Sequence, residues 1–271
     1  MNHAMNPAAR SGAQRAAILL FAILQIAVTF LPSLGIGEAI GDRSDEARTA
    51  ITPAGWAFSI WGPLFAGCLL YALYQLAPAQ RDNPLLARIG WASAGAFLGN
   101  AAWALYTQFL ALNLGSALII LFTLLCLLHV YRTFALSPAP FTRGEQFLVI
   151  LPLSALASWL TAASIVNIAA VLEYHGVDAG DANDLVAAGV VLLGGAIAAA
   201  AIWCGRGNPW YAIVFLWALA GIYSASGRMV EEVGIAVIIA AVLVVGATVG
   251  RLSRRDDRLR WFGRPDVRRS E

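Results

Sequence analysis

Long apolar segments constrain this chain more than any other feature of its sequence. Eight can be drawn, each near the length of about 17–25 residues that a membrane-spanning helix needs. Their approximate bounds are 16–35, 53–76, 88–110, 114–135, 147–171, 185–204, 209–226 and 233–250. Only 13% of the 271 residues are charged, against about 25% in soluble domains. The expected fold class is therefore an all-α polytopic membrane protein with eight spans.

The arginines predict how these spans are oriented. All 18 basic residues are Arg, and with eight spans fifteen of them lie on the side that holds both termini. The opposite side holds only Arg43, Arg48 and Arg228, together with ten of the 16 acidic residues. Since cytoplasmic loops carry the excess of positive charge, both termini are expected in the cytoplasm. The first apolar segment is too long for a signal-peptide core and is expected to remain as the first span.

Two charged stretches lie outside the spans. The acidic loop 36–52 is expected to contain a short surface helix near Asp45 and Glu46, and it either binds a cation or is simply solvated. The Arg-rich tail, residues 251–271, either lies on anionic lipid or is a disordered anchor that fixes the topology.

The second apolar segment carries an aromatic stripe. Phe58, Trp61 and Phe65 stand at i, i+3 and i+7, so their rings share one helical face. Pro53 suits the first turn of this helix, and Pro63 is expected to bend it. The stripe has two interpretations: the rings either pack against neighbouring helices or form the wall of a cavity.

Amides and indoles recur together on two further spans. Asn100 and Trp103 lie one turn apart on the third span, and Trp159, Ala163 and Asn167 step by four along the fifth. An Asn in hydrocarbon needs hydrogen-bond partners, so both amides are expected to face other helices. The tryptophans on the same stripes are then expected to face inward as well.

The sequence contains few groups for catalysis or coupling. None of the eight spans has Asp, Glu or Arg near its centre, which argues against an ion-coupled pump. The three cysteines and three histidines are scattered, and no nucleotide-binding or hydrolase motif occurs. No catalytic residue, no metal site, no obligatory cofactor and no nucleic-acid partner is therefore predicted.

Four patterns in fixed order resemble the TspO/MBR family, the translocator proteins also called tryptophan-rich sensory proteins. The first is Pro53 with WGPLF at 61–65, at the spacing found in that family. The others are the N-x-x-W of Asn100–Trp103, VYRTFALSP at 130–138, and Trp159 eight residues before Asn167. Two departures stand out. Loop 36–52 lacks the Trp-bearing lid of that family, and members usually end after five helices.

The resemblance implies a domain plan and a ligand-binding site. Residues 16–172 would form a TspO-like five-helix bundle and residues 173–250 an additional three-helix segment, between cytoplasmic tails at 1–15 and 251–271. A planar hydrophobic ligand, such as a porphyrin, haem or a sterol, would bind between the second, third and fifth spans. The ligand-binding residues would be Phe58, Trp61, Phe65, Asn100, Trp103, Trp159, Ala163 and Asn167.

The expected function is that of a receptor or translocator with a sensory or facilitated-transport role in the bacterial inner membrane, in contact with lipid. One alternative is a light-dependent porphyrin-degrading enzyme, which is less favoured because no acid–base pair accompanies the indoles. The other is a scaffold or homodimer that docks through spans six to eight, where Gly189, Gly194 and Gly195 allow close helix approach. Packing within the chain is the competing explanation for these glycines.

Overall fold

The computed structural model describes residues 10–138, 141–177 and 179–262. Within these ranges the chain is helical and contains no β-strand. The α-helices are α1 Gly12–Ala27, α2 Ile40–Glu46, α3 Trp61–Tyr74, α4 Pro84–Phe109, α5 Leu114–Leu136, α6 Arg143–Glu145, α7 Leu151–Tyr174, α8 Asn183–Cys204, α9 Pro209–Ile222, α10 Glu231–Leu252 and α11 Arg255–Phe262. Short 3₁₀ turns and two π-helical segments, Gln146–Ile150 and Tyr223–Gly227, join or extend them.

Seven helical stretches in the described part of the chain are long and apolar enough to cross a membrane. They are Gly12–Phe30, Gly55–Tyr74, Leu114–Leu136, Arg143–Tyr174, Gly180–Cys204, Pro209–Gly227 and Glu231–Leu252. Helix α4, the predicted third span, is not among them although it has 26 residues. Its Asn100, Thr107 and Gln108 are buried inside the bundle and lower its overall hydropathy. The chain is therefore a polytopic helical membrane protein, as predicted.

The second span begins differently from the prediction. Residues Gly55–Ile60 form a 3₁₀ helix, and the α-helix starts only at Trp61. Pro53 precedes the helix instead of opening it, so its predicted place in the first turn was wrong. Pro63 is the third residue of α3, where the backbone N–H that it lacks would have no partner within the α-helix. The change from 3₁₀ to α geometry thus falls two residues before Pro63, and a bend at Pro63 stays a prediction.

Helix α7 is the centre of the bundle. It packs against α3, α5 and α9, while α4 lies between α1 and α5. In the most apolar 18 residues of the Arg143–Tyr174 stretch, 78% of the residues are buried. The corresponding share is 28–50% in the other candidate spans. A helix enclosed in this way can carry polar and small residues, because it meets other helices more than it meets lipid.

Helices α8 and α10 are in close contact with each other. A Cβ atom at Gly195 would come within 2.5 Å of the Ala240 Cβ, and one at Gly194 within 3.2 Å of the Ile165 side chain. Both glycines are thus covered within the chain, as the packing explanation of these residues expects, whereas Gly189 faces open space.

The C-terminal tail folds back onto the bundle as far as it is described. Asp257, Arg260 and Trp261 of α11 are buried. The Arg260 guanidinium donates to the Ser137 carbonyl at 2.8 Å and to the Phe134 carbonyl, both at the end of α5. Residues 255–262 therefore form a helix that packs against the bundle, so the alternative of disorder is wrong for them, while contact with lipid stays a prediction. Residues 263–271 of the predicted tail, and 1–9 of the predicted N-terminal tail, lie outside the described residues.

Candidate functional site

An open groove of about 660 Å³ lies where the ends of α1 and α4 meet α2 and α3. One side of the groove is formed by Phe58 of the 3₁₀ helix and by Trp61 and Phe65 of α3, the three rings of the predicted stripe. Trp61 and Phe65 stack with ring centroids 5.1 Å apart and planes inclined by 26°. Asn100 and Trp103 of α4 form another part of the lining. The volume lies within the range of about 300–1,000 Å³ typical of ligand pockets.

A smaller cavity, the inner chamber, adjoins this groove and has a volume of about 60 Å³. Trp159, Ala163 and Asn167 of α7 line it together with Trp103 of α4. Ile222 at the end of α9 completes the lining, so one of the last three spanning helices reaches this chamber.

The groove and the inner chamber share three lining residues, Ile40, Phe58 and Trp103. Phe58 also meets Trp159 edge to face, with centroids 6.1 Å apart, and Trp61 meets Trp159 in the same way at 6.0 Å. Trp159 thereby links the α3 rings to the α7 side of the chamber. All eight residues predicted for the site line one of these two cavities, and Phe58 and Trp103 line both.

The two predicted amides are bonded differently. Asn100 is buried and donates through Nδ2 to Gln25 Oε1 at 3.1 Å, which ties α4 to α1. Asn167 Oδ1 lies 3.2 Å from the Ser116 hydroxyl of α5, whose single proton also faces the Asn113 carbonyl at 2.7 Å. Its Nδ2 is buried and has no partner among the described residues. Only the Asn167 amide therefore leaves a donor unused at a cavity wall.

Two indoles share this unpaired state. Trp103 and Trp159 are 9% and 2% exposed, and neither Nε1 donates to a partner in the part of the chain that the structure describes. Buried polar groups are normally hydrogen-bonded, so each exception needs an explanation. Here all three unpaired nitrogens belong to residues that line the inner chamber.

Helix α2 is one source of lining residues that the sequence did not indicate. This helix contributes Ile40 to both cavities and Arg43 and Ser44 to the chamber, and Ala47, which directly follows the helix, lines the chamber as well. The Arg43 Nη1 binds Glu38 Oε2 at 2.8 Å and Glu46 Oε2 at 2.9 Å. The acidic loop thus provides a cover over the site without a tryptophan. A Glu three residues after Arg43 was the available signal, because that spacing on a helix allows an ion pair.

Gln25 and Gln108 were also missed. Both amides are almost fully buried, and Gln108 lines the groove and donates to the Val28 carbonyl at 2.9 Å. Two glutamines within or beside apolar segments could have been recognised as interhelical bonding groups by the argument applied to the asparagines.

The arrangement contains no acid–base pair and no metal-ligand cluster that would suggest catalysis. In the described ranges no group of three or more His, Cys, Asp or Glu side chains lies close enough to hold a metal ion. The charged side chain at the chamber is Arg43, which is paired with carboxylates. Chemically, the cavities offer aromatic faces and N–H donors.

Apolar spanning helices around an aromatic-walled groove and chamber define the class: an integral membrane protein with a ligand-sized cavity among its helices. The sequence pattern of the TSPO-like protein family matches residues 15–250, and the chain belongs to that family. The match continues to residue 250 and so includes α8, α9 and α10, beyond residues 16–172 that carry the motifs. No curated protein and no solved structure matches the chain.

Proposed function

We propose that this protein is a membrane receptor or translocator that binds a planar hydrophobic ligand in the groove and inner chamber. The observation that carries the proposal is the convergence of all eight predicted residues on two adjoining cavities with shared lining residues. Large aromatic faces suit a flat apolar ring system, which can stack on Trp61 and Phe65. A porphyrin, haem or a sterol has the required shape and apolarity.

A titration with protoporphyrin IX tests this proposal. The purified full-length protein in lipid nanodiscs should show saturable quenching of tryptophan fluorescence. Trp103→Ala and Trp159→Ala should weaken binding by at least about tenfold, because truncating a buried aromatic anchor removes most of its contact area. Trp91→Ala is the matched control, since Trp91 is 59% exposed on α4 and lines neither cavity.

Absence of saturable quenching in the wild type would sink the proposal. An equal loss of affinity in all three variants would also contradict it, because the loss would then follow from removing an indole anywhere. Thermal unfolding of each variant shows whether the bundle is still folded.

We further propose that α4 also crosses the membrane, which brings the number of spans to eight. Both termini would then lie on the cytoplasmic side of a bacterial inner membrane. The 26 residues of α4 are long enough to cross a bilayer of about 30 Å. Packing between α1 and α5 explains how it can do so with a lower hydropathy. Reporter fusions after residue 82 and after residue 112 should report opposite sides of the membrane. The same side for both would contradict this topology.

A further inference from the structure

Helix α11 has an inner face that packs on the bundle and an outer face that is exposed in the described chain. The inner face consists of the buried residues Asp257, Arg260 and Trp261. On the outer face Leu259 and Phe262, three residues apart, are 50% and 58% exposed. Because α10 ends at Leu252 and α11 begins at Arg255, the outer face lies close to the end of a spanning helix. A short helix in this position can lie among lipid headgroups.

A tryptophan at the end of α8 stands beside the junction of α10 and α11. Trp203 is 45% exposed, which suits an indole at the boundary between headgroups and hydrocarbon. The guanidinium carbons of Arg251 and Arg254 lie 5.5 Å and 5.6 Å from the centre of its ring. The indole attracts both cations, and it thereby holds two like charges near each other at the surface.

The carboxylates of this region balance only part of its positive charge. Asp257 binds Arg251 through Oδ2 at 3.0 Å and an arginine of the α8–α9 loop through Oδ1 at 2.8 Å, so both of its oxygens are engaged. Arg254 and Arg255 form no ion pair with a carboxylate among the described residues. Residues 251–262 contain five arginines and two aspartates, which leaves a surplus of three positive charges. An anion from outside the chain would balance this surplus.

The side chains that remain available are cationic at one end of α11 and apolar further along it. Arg258 donates to a backbone carbonyl at the end of α10 at 3.4 Å, so the available cations are Arg254 and Arg255. Leu259 and Phe262 follow Arg255 by about one and two helical turns. A soluble phosphate or a nucleic acid would leave these two apolar side chains uncovered. An anionic phospholipid matches both groups, because it joins a charged head to an apolar chain.

We propose that the outer face of α11 and Trp203 form a binding site for an anionic phospholipid of the leaflet at this end of the bundle. The lipid phosphate accepts hydrogen bonds from the Arg254 and Arg255 guanidiniums, and an acyl chain lies against Leu259 and Phe262. This inference is independent of what the groove and the inner chamber bind.

Two lipids with the same acyl chains test the inference. Dioleoyl phosphatidylglycerol is anionic, whereas dioleoyl phosphatidylcholine has no net charge. Binding of each lipid to the full-length protein in detergent is measured by native mass spectrometry over a lipid titration. The wild type should bind its first phosphatidylglycerol about tenfold more tightly than phosphatidylcholine or better, because each arginine near an anionic headgroup adds to the attraction.

Two double variants that lose the same charge localise the effect. Arg254→Gln with Arg255→Gln should reduce the preference for phosphatidylglycerol to about threefold or less. Arg81→Gln with Arg88→Gln is the matched control and should keep the wild-type preference. Both control arginines are exposed and lie on either side of Asn83, whose side chain bonds α6 at the end of the bundle where α11 packs.

The apolar half of the site has a variant of its own. Leu259→Gln with Phe262→Gln keeps the arginines, and it should weaken the binding of both lipids by a similar factor of about threefold or more, because the acyl chain loses apolar contact. Unchanged binding of both lipids in this variant would overturn the site.

Two further results would overturn the inference. One is equal affinity of the wild type for the two lipids. The other is an equal loss of preference in the two arginine variants, because binding would then follow net charge alone. Thermal unfolding of each variant shows whether the bundle is folded, and the wild-type comparison decides the question without any variant.

Soluble competitors separate a lipid from other anions. Glycerol 3-phosphate and a short single-stranded oligonucleotide are added to the complex of the wild type with phosphatidylglycerol. Retention of the lipid in the presence of both supports the inference. Displacement by either competitor at a concentration comparable to that of the lipid would assign the arginines to a soluble anion and overturn the lipid site.

Discussion

The first seven α-helices and the last three spanning helices contribute to the site in different ways. All eight predicted ligand residues belong to the part of the chain up to α7, whereas α9 contributes Ile222 to the chamber lining. Yet α9 packs against both α7 and the 3₁₀ segment Gly55–Ile60, which holds Phe58. The comparison indicates that one part of the molecule forms most of the lining of the two cavities, while α9 packs behind that lining and supports it.

Two hydrogen bonds join α9 to the 3₁₀ segment and to the residue before it, one between backbone groups and one from a side chain. The Ala54 N–H donates to the Gly221 carbonyl at 3.0 Å, and the Trp217 indole donates to the Ala57 carbonyl at 2.9 Å. Gly221 lets the two backbones approach, because a Cβ there would lie 2.7 Å from the Ala57 Cβ. These contacts hold the 3₁₀ segment against α9.

A buried polar seam joins α9 to α7. Asn208 donates to the Ser154 hydroxyl at 2.8 Å, and the Ser158 hydroxyl donates to the Tyr211 carbonyl at 2.7 Å. The Tyr211 hydroxyl then donates to Thr161 Oγ1 at 2.8 Å. Ser154, Ser158 and Thr161 are three to four residues apart and share one face of α7. Helix α9 is therefore bonded to the central helix α7 as well as to the 3₁₀ segment Gly55–Ile60, which holds Phe58 and is called the groove wall below.

The largest effect is expected from filling the contact at Gly221. Gly221→Val would bring side-chain atoms against Ala57 of the groove wall and against Pro53, which precedes it. Overpacking of this kind costs about 1–3 kcal/mol. Thermal unfolding should therefore occur at a lower temperature, and protoporphyrin IX should bind more weakly. The matched control is Gly246→Val on α10, where a Cβ would meet nothing within 4 Å.

An unchanged unfolding temperature and an unchanged affinity in Gly221→Val would contradict the idea that α9 holds the groove wall in position, because α9 would then be free to move away from it. A loss of stability without a loss of affinity would limit α9 to a structural role.

The cavity-lining residues could be identified from the sequence more readily than the 3₁₀ geometry of residues 55–60, and their binding of a ligand stays a prediction. Helical spacing is a local property, so the stripe of Phe58, Trp61 and Phe65 and the pairing of indoles with amides were visible without a fold. The 3₁₀ segment 55–60 has its partners instead on α9, where Trp217, 160 positions away along the chain, donates to the Ala57 carbonyl. No local pattern records those partners.

The tail shows the same limit. The sequence shows only that the tail is rich in arginine, and charge of this kind is typical of a solvated or lipid-bound segment. Burial of Arg260 depends on two carbonyls at the end of α5 and on the Phe141 ring, whose centroid lies 4.5 Å from its guanidinium carbon. Burial lowers the pKa of Arg260 to about 10, which leaves the group charged at neutral pH.

An effect on stability alone, without a change in affinity, is expected where α11 contacts the end of α5. Arg260→Gln would leave the Phe134 and Ser137 carbonyls without their charged donor, at a cost of about 1.5–3 kcal/mol. These carbonyls lie at the C-terminal end of α5, whereas the chamber residue Leu112 just precedes its N-terminal end. The unfolding temperature should fall and the affinity for protoporphyrin IX should stay the same. Arg258→Gln, an exposed change on α11, is the control.

A weaker affinity in Arg260→Gln than in Arg258→Gln would show that the tail, too, acts on the binding surface. The division into a surface and its support would then need to include α11.

The smallest effect is expected from the single side-chain bond between α9 and the wall. Trp217→Phe removes the donor to the Ala57 carbonyl but keeps a ring against Trp56, whose centroid lies 4.9 Å from that of Trp217. Loss of one neutral hydrogen bond costs about 0.5–1.5 kcal/mol, so stability should change little. Affinity for protoporphyrin IX should fall about twofold to fivefold, because the bonded carbonyl directly precedes Phe58.

Trp210→Phe provides the matched comparison, since Trp210 lies on the same helix and contacts Phe147 instead of the 3₁₀ segment. If Trp217→Phe weakens binding and Trp210→Phe does not, the effect of α9 passes through the Ala57 carbonyl. If neither variant alters binding while Gly221→Val does, close packing alone holds the wall, and the hydrogen bond is a consequence of that packing.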